Sequence, residues 1–78
     1  MIIKNLTKNE TINIIRFINN IEVVTDYGIK LSLGDILIID SKKYQIVTDI
    51  QYLGHFYLIC NVKLLPNSLE FIKDEGLS

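Results

Sequence analysis

His55, Asp49 and Tyr57 are the residues whose types could do acid–base chemistry. On neighbouring strands Asp49 and Tyr57 would face each other, with His55 near them at a hairpin tip. Such a cluster can take up and return a proton near neutral pH. The plainer reading is a polar, solvated sheet edge, and it is preferred. The chain has one His, one Cys (Cys60) and four Ser, none in a nucleophile motif. Its carboxylates are scattered, and no His or Cys repeats at ligand spacing, so no metal site is assigned. The four Gly residues are isolated, which leaves no phosphate-cradling loop and no expected cofactor.

Binding chemistry is better represented. Tyr27 and Tyr57 offer a large apolar body with a polar tip, a combination suited to protein interfaces or ligand walls. Near them in sequence stand Lys30, Lys42, Lys43 and Lys63, and aromatic side chains among lysines can stack and hold nucleic-acid bases. Asp26, Asp40 and Asp49 interrupt the lysines, and the net charge is −1, with 8 basic and 9 acidic residues. That balance ranks nucleic acid below a protein or small-ligand partner. Tyr57, His55 and Asn61 share one face of the last strand and complete the candidate binding set.

The elements that must position these residues follow from patterning. In 44–52 and 55–64, Tyr44, Ile46, Thr48 and Ile50 share one face, as do Phe56, Leu58, Cys60, Val62 and Leu64, while the other face mixes Gln45, Asp49 and Asn61 with Val47, Tyr57 and Ile59. A three-residue loop, 52–54 with Gly54 left-handed, sets Ile50 opposite Phe56, Ile46 opposite Cys60 and Tyr44 opposite Val62. Strands 21–26 and 29–34 are expected to form a second hairpin with the same loop grammar, Gly28 taking the place of Gly54. A further strand, 36–40, reads Ile-Leu-Ile-Ile-Asp and is apolar on both faces, which marks a sheet covered on both sides.

The expected cover is an N-terminal helix over 8–19. Thr7 and Glu10 have capping-box spacing, and Ile14, Ile15, Phe17 and Ile18 cluster at helical spacing. A strand there would put Arg16 in line with Ile12, Ile14 and Ile18. Past Pro66, Asn67 and Glu70 suggest a short helix over 68–74.

The fold expected is therefore α+β, a single domain over 1–78 with a five-stranded antiparallel meander or small barrel between two helices. The stretch from Gly34 to Val47, Gly-Asp-Ile-Leu-Ile-Ile-Asp-Ser-Lys-Lys-Tyr-Gln-Ile-Val, together with the meander order, resembles small five-stranded barrels of the Src-homology-type architecture over residues 21–64. That resemblance implies a fold and carries no functional residue with it.

Composition adds bounds. Of 78 residues 15 are Ile, with no Ala or Trp, and large apolar side chains in so small a chain suggest shared burial in a homo-oligomer. The Ile, Asn and Lys bias fits AT-rich coding, as in phage or other mobile elements. A lone Cys excludes an internal disulfide. No secretory leader is visible, and the longest apolar runs are about five residues, too short to span a membrane. The expectation is a cytoplasmic, noncatalytic binding protein that occupies a host protein or sequesters a small ligand. A nucleic-acid-binding barrel comes second, and a small enzyme using the His55 cluster third.

Overall fold

The computed structural model describes residues 1–66. The expected helix over 68–74 lies outside them. Within them the chain is all β, with strands β1 (Ile2–Asn5), β2 (Glu10–Asn13), β3 (Arg16–Ile18), β4 (Glu22–Asp26), β5 (Ile36–Ile39), β6 (Lys42–Ile46), β7 (Gln51–Leu53) and β8 (Tyr57–Leu64). The antiparallel order is β2-β1-β5-β6-β8-β4-β3, and β7 pairs with β8 beside β6. The α+β expectation is corrected to an all-β fold, compatible with a small barrel-like roll whose sheet is not closed.

The helix over 8–19 does not exist. Its residues form β2, a corner and β3. At the corner consecutive N–H groups serve different ladders: Ile14 donates to Met1 O at 2.8 Å and Ile15 to Val24 O at 2.8 Å. The chain thus passes from one end of the strand order to the other. The change of direction also resets the inside–outside alternation. Ile12 and Ile14 point into the core before it, Phe17 packs on the core after it, and Arg16 stays exposed. The clash of Arg16 with the isoleucines arises only for one unbroken strand. β-branched side chains, which weaken a helix, suit these strands.

The capping-box residues have other work. Asn5 Oδ1 accepts the Lys8 N–H at 3.1 Å across the 6–9 turn, and Asn9 takes a left-handed φ of 54°. Thr7 Oγ1 accepts the Ile36 N–H at 2.9 Å, tying the turn to β5. Asn19 and Asn20 (φ 54° and 57°) and Asp40 and Ser41 (φ 52° and 64°) are left-handed pairs between β3 and β4 and between β5 and β6. Two successive positive φ values give turns that match the strand twist.

The expected 29–34 strand is also absent. β4 is already paired on both sides, with β3 and over its full length with β8. Both its faces are covered, and Val23, Val24 and Thr25 are all buried. Segment 29–33 instead crosses the roll with Ile29 and Leu31 packed against the core. The expected 44–52 strand splits into β6 and β7. Between the pairs Ile46↔Val62 and Gln51↔Ile59 this side of the ladder carries two more residues than β8. Thr48 Oγ1 accepts the Asn61 N–H at 2.9 Å within that bulge.

The core, inside the roll, comprises Ile3, Ile12, Ile14, Val23, Leu37, Ile39, Tyr44, Ile46, Cys60 and Val62. Phe17 meets Tyr44 edge-to-face, with ring centroids 5.1 Å apart. On the outer face no helix among the described residues covers Ile36 and Ile38. They are half-buried, and Lys4 and Lys43 stand on either side of Ile38 in the cross-strand register. Lysine stems of this length can cover apolar surface while their ammonium groups stay in water.

Candidate functional site

The molecule measures 44 × 20 × 18 Å, and its polar cluster and aromatic surface adjoin along one groove, lined by Lys8 and Ser32 as well as by Tyr27 and Tyr52. The polar chemistry centres on Asp35, 3% exposed, with Asn5 fully buried beside it. Asp35 Oδ2 accepts from Asn5 Nδ2 at 3.0 Å and from the Ser32 N–H at 3.1 Å, and forms an ion pair with Lys8 Nζ at 3.0 Å. Lys8 Nζ also donates to Ser32 Oγ at 2.9 Å and Lys30 O at 3.2 Å. Burial alone would raise the carboxyl pKa. The hydrogen bonds from Asn5, Lys8 and Ser32, with the Lys8 charge, outweigh it and hold the pKa below its ordinary value. All three of these contacts to Asp35 Oδ2 come from the protein itself. The cluster pins segment 30–35 to the 6–9 turn and is structural.

The aromatic surface lies where β4 and β7 end and β8 begins. Tyr27, Tyr52, Phe56 and Tyr57 are all exposed there, Tyr52 by 75% and Phe56 by 66%. Register explains the grouping. Asp26 pairs with Tyr57, Leu53 pairs with Tyr57 from the other side, and the Tyr27 N–H donates to Phe56 O at 3.0 Å. The β7–β8 loop is 54–56, with Gly54 first and left-handed at φ 67°. Phe56, expected in the core opposite Ile50, sits instead on the loop, its ring 6.3 Å from that of His55.

Hollows border this end and the bulge beside it. One, a groove of about 560 Å³, lies between β7 and segment 29–32; Ile50, Leu58, Tyr27 and Tyr52 line it, with Lys8, Lys30 and Glu10 also at its walls. On the opposite face Leu53, Tyr57, Val24, Ile15, Ile18 and Arg16 line a hollow of about 340 Å³. A third, of about 190 Å³, contains Asp49, Asn61 and Glu22.

The sequence-predicted residues are therefore distributed. Tyr27 and Lys30 share the large groove, and Tyr57 lines the hollow on the other face. His55 is at the loop, Asn61 and Asp49 are in the third hollow, and Lys42 and Lys43 begin β6 on a different hairpin. The structure does not bring His55, Asp49 and Tyr57 together: Tyr57 faces Leu53, and Asp49 lies within the bulge. Tyr52, Phe56 and Leu53 were missed. Their signal was present in a run of three aromatics within six residues, 52–57, but assigning Phe56 to the core concealed it. Cys60 is buried, and burial pushes its thiol up to about 11, which makes it a poor nucleophile. Among the described residues no group of three or more His, Cys, Asp or Glu could hold a metal ion, and no helix is long and apolar enough to cross a membrane.

Fold and surface together define a small all-β protein built as an open antiparallel roll with an aromatic end. No protein-family model, curated protein or solved structure matches the chain.

Proposed function

We propose that the protein is a noncatalytic binding module and that its aromatic end is the part that meets the partner. One observation carries this reading: four large aromatic side chains are exposed at one end of a 78-residue protein, two of them, Tyr27 and Tyr52, lining a groove, while Phe17 and Tyr44 are packed at the core. Contiguous exposed apolar surface marks interaction sites, and Tyr and Phe are enriched in them. A host protein, a small ligand and a second copy of the chain are the partners this surface admits. The test combines light scattering of the purified protein with mass spectrometry of whatever denaturation releases. The expected result is a bound molecule or an assembly that is lost in Tyr27→Ser/Tyr52→Ser. A bare monomer from its native host, identical in behaviour to that variant, would remove the support.

A second reading rests on the other outer face. Lys4 and Lys43 flank Ile38, and Lys63 lies across Gln45 from Ile36, so three lysines share one sheet surface suited to a phosphate backbone. These lysines are not in the aromatic groove, so stacking and charge would not act together there. That separation places the nucleic-acid reading second. Oligonucleotide binding that weakens steeply with salt and is lost in Lys4→Gln/Lys63→Gln would promote it.

A further inference from the structure

Resting on the binding reading, we propose that the slot between β7 and segment 29–32 receives an extended peptide strand from a partner protein. Its two walls carry the inference. β7 has a single strand neighbour, β8, so its other edge has no strand beside it among the described residues. A one-sided edge is a template for another strand. The facing wall alternates like a strand without being one: Ile29 and Leu31 turn to the core, Lys30 and Ser32 are exposed. It is also held in place. Lys8 Nζ grips Lys30 O and Ser32 Oγ, and Asp35 takes the Ser32 N–H.

The groove of about 560 Å³ lies between these walls. A strand entering beside β7 would direct alternate side chains inward, onto Ile50 and Leu58, and the others outward. Main-chain pairing would supply affinity, and the inward positions would supply selectivity. Tyr27 and Tyr52 offer apolar contact to the inserted segment. Of the charges on the lining Lys8 is paired with Asp35, and Glu10 and Lys30 favour a peptide with a basic and an acidic residue in complementary places. The second wall also distinguishes the occupants. A lone extended segment has both edges open and can enter a slot. The edge strand of a second folded copy brings its own sheet with it, and that sheet would collide with segment 29–32.

The test is selection of random displayed peptides on the full chain, with counter-selection on Tyr27→Ser/Tyr52→Ser. Both positions are exposed, and circular dichroism checks that the variant is folded. The expected peptides carry apolar residues at alternate positions and bind the variant weaker by about tenfold or more. N-methylation of single peptide bonds should abolish binding at every second residue, as strand pairing requires. Tolerance of N-methylation throughout, or apolar anchors at helical spacing, would overturn strand insertion and leave the binding end standing. No enrichment over the variant would overturn both. Formation of a dimer that displaces the peptides and protects the β7 amides from exchange would reassign the edge to a second copy and overturn the peptide occupant.

Discussion

The two ends of this roll are made of the same kind of short antiparallel strand and differ in what their side chains meet. At the end held by β1, β2, β5 and β6, inward residues such as Ile3, Ile12, Leu37 and Ile39 are buried. Asn5, Lys8 and Asp35 satisfy one another there, and lysines flank the outer isoleucines. At the other end Tyr27, Tyr52, Phe56 and Tyr57 have no such cover. Full burial of a side chain of that size contributes roughly 1.5–3 kcal/mol, and a domain of this length has little stability to spare. The contrast teaches that the first end maintains the fold, while the second leaves large apolar side chains exposed, the feature on which the proposed binding role rests.

The sharpest way to break the comparison is at the corner that joins β2 to β3. A helix over 8–19 would bury Ile14 and Ile15 alike. The roll buries Ile14 to 1% exposure and leaves Ile15 44% exposed. Ile14→Ala should therefore cost about 4 kcal/mol, the usual range for a filled core position being about 2–5. Ile15→Ala should cost less than about 1 kcal/mol. Urea denaturation of the pair decides it, and equal losses would restore the helical face.

The same corner shows what the amino-acid order could reveal. Alternation in 42–46 and 57–64 is regular enough to place β6 and β8 and to assign Tyr44, Ile46, Cys60 and Val62 to the inside, whereas the all-apolar run 36–39 marks β5 without telling its faces apart. Alternation does not set how far one strand slides along another. Ile46 was expected opposite Cys60 and stands opposite Val62. A slip of one residue would turn every side chain over, but a slip of two leaves all faces unchanged, so the pattern cannot detect it. That slip, and the bulge at 47–50, moved Phe56 from the core to the loop and hid the aromatic end. Likewise, the periodicity of 8–19 fits a helix unless a bend is allowed between Ile14 and Ile15, and no Gly or Pro announces one. Tyr27 and Lys30 were found as candidates from residue type alone. Their groove depends on β4 choosing β8 over the nearer 29–33, a nonlocal competition.

The Asp35 cluster should give the next largest effect. Asp35→Ala removes the acceptor shared by Asn5, the Ser32 N–H and Lys8. The expected loss is about 3 kcal/mol, less than for a fully buried pair because Lys8 can turn toward water. Since the folded-state pKa is lowered from 3.8, the unfolded chain binds the proton more readily. The contribution of this carboxylate is therefore complete above that ordinary value and lost as the pH falls through the lowered one. Acid titration of stability should show the native protein losing more than Asp35→Ala between neutral pH and the acid end. Parallel curves would mean that the cluster does not anchor segment 30–35.

A smaller pair of effects sharpens the loop assignments. Gly54 is left-handed at φ 67°, whereas Gly28 has no positive φ, and a methyl group built on either meets nothing within 4 Å. Backbone conformation alone thus separates them. Gly54→Val should cost about 1–2 kcal/mol. Gly28→Ala should raise stability by about 0.4–1 kcal/mol by restricting the unfolded chain. Thermal melts of the two variants should move in opposite directions, and a loss in Gly28→Ala would return the Asp26-Tyr27-Gly28 loop to the grammar expected of a hairpin.

The aromatic end itself should give the smallest change in stability. Tyr52 and Phe56 bury little in the isolated chain, so Tyr52→Ser and Phe56→Ser should each shift unfolding free energy by no more than about 0.5 kcal/mol. Peptide binding, in contrast, should fall with Tyr52, whose side chain lines the groove. Denaturation at several protein concentrations makes this a test of the comparison as well. If either substitution proves strongly destabilising, and the loss grows with concentration, the side chain is already buried in the free protein against another copy. The exposed end would then belong to the stabilising part of an assembly, and the division between a fold-maintaining end and a binding end would fail.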